Sequence, residues 1–240
     1  MNTPLAPSRA RAFTLIELLV VIAIIAILAS LLLPALSGAK VRARIVQAKT
    51  EMANLEAAIK AYESEYNRMP VYKTAEIVSR ANNYYPDYTF GTTGTGFSGP
   101  SIILSATIGL NPGYETNNSV VMSIIMDRSV DFNKDSVRNP RHLVLFNARE
   151  VSGHSPGLGS DLVLRDPWGS PYIISLDVNG DDKTRDGFYR KVGGPGFSGN
   201  ANELELNRSV MIWSLGPDKN ADINQGAENG PNKDNVLSWR

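Results

Sequence analysis

The hydrophobic pattern of the chain begins with one unbroken apolar run. It extends from Phe13 to Leu33, 21 residues in which Glu17 is the one charged side chain. As a helix this run would span roughly 31 Å, enough to cross the core of a bilayer. Three structures account for such a run without further chemistry: a cleaved secretory signal, a signal-anchor and a buried core helix.

The residues inside the run distinguish these alternatives. A cleaved signal has a small-residue cleavage site after its apolar segment, whereas Ala26-Ile-Leu-Ala29 and Ser30 lie within it. A core helix carries polar residues along one face, and this run has almost none. An anchor explains everything except Glu17, because ionisable residues within a span are costly and usually functional. The pattern predicts a single transmembrane helix over 13–33 whose carboxylate requires a partner.

A second pattern follows Pro34, which is predicted to kink the helix because proline removes one backbone hydrogen bond. Apolar residues then recur at spacings of four and three: Val41, Ile45, Ala48, Met52, Leu55, Ile59, Tyr62 and Tyr66. This stripe predicts an amphipathic helix over 34–69, closed by Met69-Pro70. It could form a coiled-coil seam, but packing on the protein's own sheet is favoured.

Residues 70–165 carry the weakest pattern. Three short apolar runs, each compatible with a strand or a helical turn, are separated by Gly-, Asn- and Ser-rich segments: Ile102–Leu110, Val120–Met126 and His142–Phe146. We interpret this region as a variable insertion whose role the sequence does not specify.

The carboxyl-terminal residues 166–240 alternate turns with short apolar segments. Asp166-Pro-Trp-Gly-Ser-Pro-Tyr172 has the composition of a turn. Ile173–Leu176, Phe188–Val192 and Ser209–Leu215 are predicted strands. The predicted fold class is α+β: a long amino-terminal helix packed on a small antiparallel sheet.

Composition excludes several functions. The 240 residues contain 24 basic and 24 acidic side chains and no cysteine. The balanced charge gives no reason to expect nucleic-acid binding, and disulfides, thiolate metal sites and cysteine nucleophiles are impossible. No arrangement of nucleophile, base and orienting group is apparent, so we do not expect an enzyme.

The residues at 11–28, Arg-Ala-Phe-Thr-Leu-Ile-Glu-Leu-Leu-Val-Val-Ile-Ala-Ile-Ile-Ala-Ile-Leu, resemble the prepilin leader of type IV pilins and type II secretion pseudopilins. The resemblance implies that prepilin peptidase removes residues 1–12 by cutting between Ala12 and Phe13, and that Phe13 is then N-methylated. Ala12 departs from the glycine usual in the family. Glu17 would pair with the amino terminus of a neighbouring subunit, and this fits the chemistry, since opposite charges offset each other's desolvation.

Three carboxyl-terminal segments resemble the major pseudopilin of type II secretion: residues 167–172, 213–218 and 234–239. The resemblance implies a calcium ion in the closing loop, and a pilin-like fold. The implied ligands are the Leu215 carbonyl and the side chains of Asp218, Asp234 and Asn235, with Asp222 as a possible addition.

The calcium prediction has two alternatives. Alternating Asp and Asn residues supply the oxygen ligands that calcium requires, but the same residues form ordinary turns. A second cluster, at Asp177, Asn179, Asp181 and Asp182, is also a candidate. Asn235 replaces an acid usual in the family, and this would weaken binding.

The resemblance implies a structural subunit that polymerises with itself and with minor pseudopilins on the secretion platform of the bacterial inner membrane. The chain would start as a single-pass membrane protein in contact with lipid, with its carboxyl-terminal domain in the periplasm, and end in a periplasmic fibre. Arg9 and Arg11 support this orientation, whereas Lys40, Arg42 and the basic residues that follow oppose it. A type IV pilin, a minor pseudopilin and a membrane-anchored binding module are the alternatives.

Overall fold

The structure is a computed structural model, and it describes residues 14–81, 87–91, 117–189, 205–222 and 225–240. It contains two compact units, Met1–Ala43 and Arg44–Arg240. The leader, Phe13 and the Ile102–Leu110 run lie outside the described residues. The helices are α1 (Leu15–Tyr66), α2 (Lys73–Ala81) and α3 (Ser119–Ile125), with 3₁₀ helices at Asp131–Ser136 and Gly230–Asp234. The strands are β1 (Tyr88–Phe90), β2 (Gly157–Leu158), β3 (Leu164–Arg165), β4 (Ile173–Leu176), β5 (Val210–Ser214) and β6 (Val236–Leu237).

The amino-terminal unit contains the apolar part of α1. Its large side chains are exposed on every side of the helix, from Leu15 at 82% to Leu32 at 66%. Among the described residues, α1 is the one helix long and apolar enough to cross a membrane, by length and composition. The helix continues through Pro34, so the kink stays a prediction.

In the carboxyl-terminal unit, α1 is amphipathic as predicted. Ala48, Leu55, Ile59 and Tyr62 are buried with the hydrophobic core, whereas Val46 is 64% exposed. The helix ends at Tyr66, three residues before the predicted end, because Asn67 adopts a left-handed conformation with φ of 50°. Asparagine tolerates this conformation and frequently ends helices in this way.

The main sheet has four antiparallel strands in the order β1-β4-β5-β6. Side chains alternate between its two faces. Ile174 and Ile212 lie on the face that joins the α1 stripe in one core, whereas Ile173 and Trp213 belong to a second, smaller core. The predicted α+β arrangement, a long helix on a small antiparallel sheet, is confirmed.

The region interpreted as an insertion contributes to this fold. It supplies β1, an edge strand of the main sheet, and α3, whose residues Val120 to Ile125 are all buried. The side chain of Asn118 joins α3 to the sheet region, because it donates to the carbonyl oxygens of Leu164 and Tyr172 at 2.9 Å each. The His142–Phe146 run forms neither a helix nor a strand.

One strand prediction is wrong. The structure places Phe188 and Tyr189 in a turn, and the rest of the predicted Phe188–Val192 strand lies outside the described residues. The backbone N–H groups of both residues donate to the carboxylate of Asp186, at 2.9 and 2.8 Å. The side-chain acceptor takes the place of a neighbouring strand, which apolar periodicity cannot indicate.

Candidate functional site

The beginning of α1 is organised by Thr14 and Glu17. The Glu17 carboxylate accepts hydrogen bonds from the backbone N–H and the hydroxyl of Thr14, at 2.8 Å each. The Thr14 hydroxyl in turn accepts from the Glu17 backbone N–H at 3.3 Å. This reciprocal arrangement is a capping box, and its Thr-x-x-Glu signature is legible in the sequence. The predicted role of Glu17 in assembly therefore coexists with a local role in starting the helix.

The closing loop brings two chain segments together at Gly216. Gly216 has a φ of 69°, and a Cβ atom there would lie 2.2 Å from the carbonyl oxygen of Asp234. A glycine is therefore required for the two segments to approach this closely. Where these two segments meet, the Asp218 backbone N–H donates to the Asp234 carboxylate at 3.2 Å. The structure thus places the Asp218 backbone beside the Asp234 carboxylate, and these are two of the residues that the resemblance implies as calcium ligands.

Asn235 lies beside the aromatic residues of the second, smaller core. Its amide nitrogen donates to the hydroxyl of Tyr189 at 2.8 Å, and Tyr189 packs edge-on against Trp239 at 5.5 Å. The Asn235 carbonyl oxygen Oδ1 is buried and has no hydrogen-bond partner among the described residues. A buried oxygen without a donor is a feature that a bound cation would satisfy.

Asp222 is held in a turn of its own. Its backbone N–H donates to the side chain of Asn232 at 2.8 Å, and Asn232 returns a hydrogen bond to the Asp222 carbonyl at 2.8 Å. The Asp222 carboxylate accepts from Gln225 at 3.1 Å. Asn232, which the sequence analysis did not select, is therefore the residue that fixes this part of the loop.

The electrostatics of the closing loop favour a cation. Burial raises the pKa of Asp234 above its ordinary value, and the nearby Asp218 carboxylate raises it further. In the part of the chain that is described, no group of three or more His, Cys, Asp or Glu residues is placed to hold a metal ion. A site here would therefore rely on two acids together with amide and backbone carbonyl oxygens, which calcium accepts.

In the alternative acidic cluster, the carboxylates of Asp177 and Asp181 accept hydrogen bonds from groups of the same turn. Both oxygens of Asp177 accept backbone hydrogen bonds, from Gly180 at 2.7 Å and from Asp182 at 2.8 Å. Asn179 donates to Asp181 at 3.0 Å. A cavity of about 370 Å³ lies beside this turn and is lined by Glu63, Arg68 and eight other residues. The carboxylates of Asp177 and Asp181 are thus already hydrogen-bonded within this turn.

Buried carboxylates behind the sheet are features that sequence reasoning missed. Asp186 accepts from the Ser175 hydroxyl at 2.7 Å and from the Trp213 indole at 3.1 Å, besides the two backbone groups described above. Asp166 accepts from the backbone of Trp168 and Ser170, and burial raises its pKa to about 6. An Asp two residues before an aromatic residue was the available signal at both positions.

The described residues combine two features. One is an exposed apolar helix that begins with the Thr14–Glu17 cap, and the other is an α+β unit that includes the later part of the same helix. A family model described as the prokaryotic N-terminal methylation motif matches residues 7–33. The match covers residues 7–12 of the predicted leader, the predicted cleavage point and the apolar run, although Ala12 and Phe13 lie outside the described residues.

The similarity to one relative is more specific than the match to this motif. The chain is 44% identical over 62 residues to the type II secretion system core protein G of Pectobacterium carotovorum subsp. carotovorum, a stretch that covers 26% of this chain and 40% of the relative. The chain thus matches less than half of the length of this relative. No solved structure matches the chain significantly. The motif and the relative support the resemblance to pseudopilins, and together with the apolar helix they fit a membrane-anchored protein.

Proposed function

We propose that this chain is a structural subunit of a type II secretion pseudopilus, the fibre that assembles from the inner membrane to drive export of folded proteins. The observation that carries the proposal is the methylation motif at residues 7–33 on a helix whose apolar surface is exposed on all sides. Such a surface is stable in lipid, or when other copies of the same helix surround it. The chain would act by assembly and not as an enzyme.

The proposed mechanism uses the amino-terminal residues. Prepilin peptidase would cut between Ala12 and Phe13, and the methylated Phe13 amine would become the first group of the mature chain. Glu17 would pair with the Phe13 amine of a neighbouring copy and so set the axial register of the fibre. In a surrounding of low dielectric constant, an amine and a carboxylate each lose hydration, and pairing compensates both losses.

The proposed location follows from the same scheme. Before assembly the chain would cross the inner membrane once and contact lipid, with residues 44–240 in the periplasm. Minor pseudopilins and the inner-membrane secretion platform would be its assembly partners. After assembly the apolar helix would leave lipid for a fibre of identical helices.

A type IV pilin is the second candidate, because the amino-terminal motif is common to both classes. The similarity to a relative whose name places it in type II secretion favours the pseudopilin.

A pair of substitutions at Glu17 tests the proposal. Glu17→Gln keeps a side chain that completes the capping box but removes the charge, whereas Glu17→Ala removes both. If the charge pairs with a neighbouring amine, both variants insert into the membrane and are cleaved, and both fail to form fibres in cells. Electron microscopy of sheared fibres and immunoblots of processed protein give the two readouts.

Other outcomes have different meanings. Normal fibres from Glu17→Gln, with none from Glu17→Ala, would show that the helix cap is the required feature and would remove the register hypothesis. Normal fibres from both variants would remove the assembly role of Glu17 altogether. A chain that is never cleaved in the wild type would contradict the pseudopilin proposal itself.

We also infer that the closing loop binds calcium through the Leu215 carbonyl and the side chains of Asp218, Asp234 and Asn235. The support is the close approach of the two segments at Gly216, the two neighbouring carboxylates and the buried Asn235 oxygen without a donor. Calcium would neutralise Asp218 and Asp234 and so stabilise the closed loop. Asp222 is a weaker candidate, because it already accepts from Gln225.

A further inference from the structure

The turns of α1 that follow the apolar run carry unmatched positive charge. Residues 35–50 contain Lys40, Arg42, Arg44 and Lys49 and no acidic residue. Lys49 donates to the carbonyl of Arg240 at 3.1 Å. Among the described residues, the other three side chains have no acidic partner. We refer to Lys40, Arg42 and Arg44 as the cationic collar.

The acidic residues of α1 that follow residue 50 contact residues other than the collar cations. Glu56 binds Lys60 at 2.8 Å and Arg208 at 3.0 Å, and Glu51 accepts from the Tyr172 hydroxyl at 2.6 Å. Glu63 accepts from Ser209 at 3.3 Å, and Glu65 pairs with Arg141. The acids of α1 that follow residue 50 are thus satisfied within their own chain, whereas the collar cations have no acidic partner among the described residues.

With the apolar segment placed in the hydrocarbon core, the collar begins at the depth of lipid headgroups. The last of the closely spaced exposed apolar side chains of α1 is Leu36, which is 66% exposed, and Val41 and Val46 are exposed farther along the helix. Lys40 follows Leu36 by about 6 Å and Arg44 by about 12 Å at the rise of an α-helix. Helical side chains lean toward the amino terminus, so these cations lean toward the apolar segment. A headgroup layer about 5–7 Å thick borders the hydrocarbon core.

The distribution of the collar around the helix indicates what occupies it. Lys40 and Arg44 are four residues apart and share one face of α1, whereas Arg42 lies on the opposite face. A partner protein docked on one side would engage one face. Lipid headgroups surround a membrane helix and can reach all three cations.

We propose that the cationic collar binds the headgroups of anionic phospholipids, such as phosphatidylglycerol, in the leaflet that α1 crosses immediately before the collar. The proposal rests on the proposed function, since it requires that residues 13–36 reside in a bilayer. Each cation held near an anionic surface strengthens membrane binding, so the collar would retain the subunit in lipid before assembly. It also gives a physical reason for positive charge on both sides of the span.

The absence of cysteine permits a clean test. A fluorophore attached to the single cysteine of Ala39→Cys reports lipid beside Lys40 in the full-length chain, reconstituted in phosphatidylcholine vesicles containing phosphatidylglycerol. Its quenching is compared between spin-labelled phosphatidylglycerol and spin-labelled phosphatidylcholine at equal mole fraction. We expect phosphatidylglycerol to quench more efficiently, with an apparent association on the order of fivefold stronger, as one cation near an anionic surface would provide.

Matched variants assign the effect to the collar. Lys40→Gln/Arg42→Gln/Arg44→Gln should bring the ratio to about one, and Lys40→Arg/Arg42→Lys/Arg44→Lys should preserve it. A control that removes the same charge from three exposed lysines, Lys73→Gln/Lys134→Gln/Lys233→Gln, should leave the ratio unchanged. High salt should lower the wild-type ratio, because ions screen these contacts.

Equal quenching by the two lipids in the wild-type chain overturns the proposal, as does a ratio that the control lowers as much as the collar variant does. Fibre assembly by the same variants separates this proposal from the proposed function. Equal quenching by the two lipids in the wild type, together with lost fibres in the collar variant, would assign the cations to a neighbouring copy. A lipid preference in a chain that never forms fibres would support lipid binding by the collar and contradict the pseudopilin proposal.

Discussion

At the scale of single residues, the unusual feature is the number of carboxylates enclosed behind the sheet. Asp186 is satisfied by four donors, two from side chains and two from the backbone. Asp87 is less well compensated: it is 1% exposed, one of its oxygens accepts from the Arg185 backbone at 2.6 Å, and the other has no partner among the described residues. Burial, together with the Asp177 and Asp181 carboxylates, raises the pKa of Asp87 to about 8.

Asp87→Asn should therefore change how stability depends on pH. The native state keeps a proton on Asp87 that the unfolded state, with an ordinary pKa near 3.8, releases. The wild type gains this stabilisation in full below about pH 4 and loses it as pH rises to about 8, a change on the order of a few kcal/mol. The melting temperature of Asp87→Asn relative to the wild type should rise between pH 4 and pH 8 and then level off.

The exposed substitution Asp135→Asn serves as the control for the loss of one carboxylate. A difference for Asp87→Asn that stays constant across that range would show that Asp87 is ionised in the native state throughout.

The calcium proposal also belongs to this scale. A chelator should lower the melting temperature of the full-length chain in detergent, and added calcium should restore it, because an ion that binds only the native state stabilises it. Asp218→Asn should abolish this response. Fluorescence of Trp239 should follow the same titration, since Tyr189 contacts both Trp239 and Asn235.

Asp182→Asn, in the alternative acidic turn, provides the comparison and should respond to calcium as the wild type does. The reverse result, with Asp218→Asn responsive and Asp182→Asn not, would place the ion in the other turn. A chelator without effect on any variant would remove the calcium site.

At the scale of elements, periodicity predicted α1 and the two central strands of the main sheet, whereas α2 and the other four strands were not predicted. The α1 stripe and the strand Ile173–Leu176 follow from apolar spacing, and β5 falls within the predicted Ser209–Leu215. Apolar spacing fails where a side chain replaces a backbone partner, as at Asp186, and where short runs are ambiguous, as at α3. The Thr14–Glu17 cap was readable from the sequence, whereas the Asn235 oxygen without a donor depends on tertiary contacts.

Shortening one apolar side chain of the stripe and one outside it should separate buried from exposed positions on the same helix. Ile59 is fully buried, so Ile59→Ala should lower the free energy of unfolding by about 2–5 kcal/mol through lost burial and a residual cavity. Val46 is 64% exposed, and Val46→Ala should change the free energy of unfolding by less than about 0.5 kcal/mol. Denaturant unfolding followed by tryptophan fluorescence measures both, and equal losses would contradict the assigned burial.

At the scale of the whole molecule, one helix meets two different surroundings. Its first half has no partner for its apolar surface within the described chain, and its second half packs into a core. The proposal that this first half serves in lipid and then in a fibre depends on removal of the twelve leader residues. A charged leader still attached would keep the Phe13 amine from existing.

Mass spectrometry of the protein purified from membranes should therefore find Phe13, carrying one methyl group, as the first residue. Ala12→Gly should be processed at least as completely, because it restores the residue usual before the cut. A chain that begins at Met1, or after Ser30, would leave Glu17 without the amine it is proposed to meet.

The short edges of the main sheet have a consequence for crowded copies. The described edge strands are three residues long at Tyr88–Phe90 and two residues long at Val236–Leu237. Long, flat edges are templates on which one chain adds strands to another and forms nearly irreversible aggregates. Edges this short provide few backbone groups for such templating, so we expect subunits concentrated side by side to remain separable, and a fibre built from them to be capable of retraction into its components.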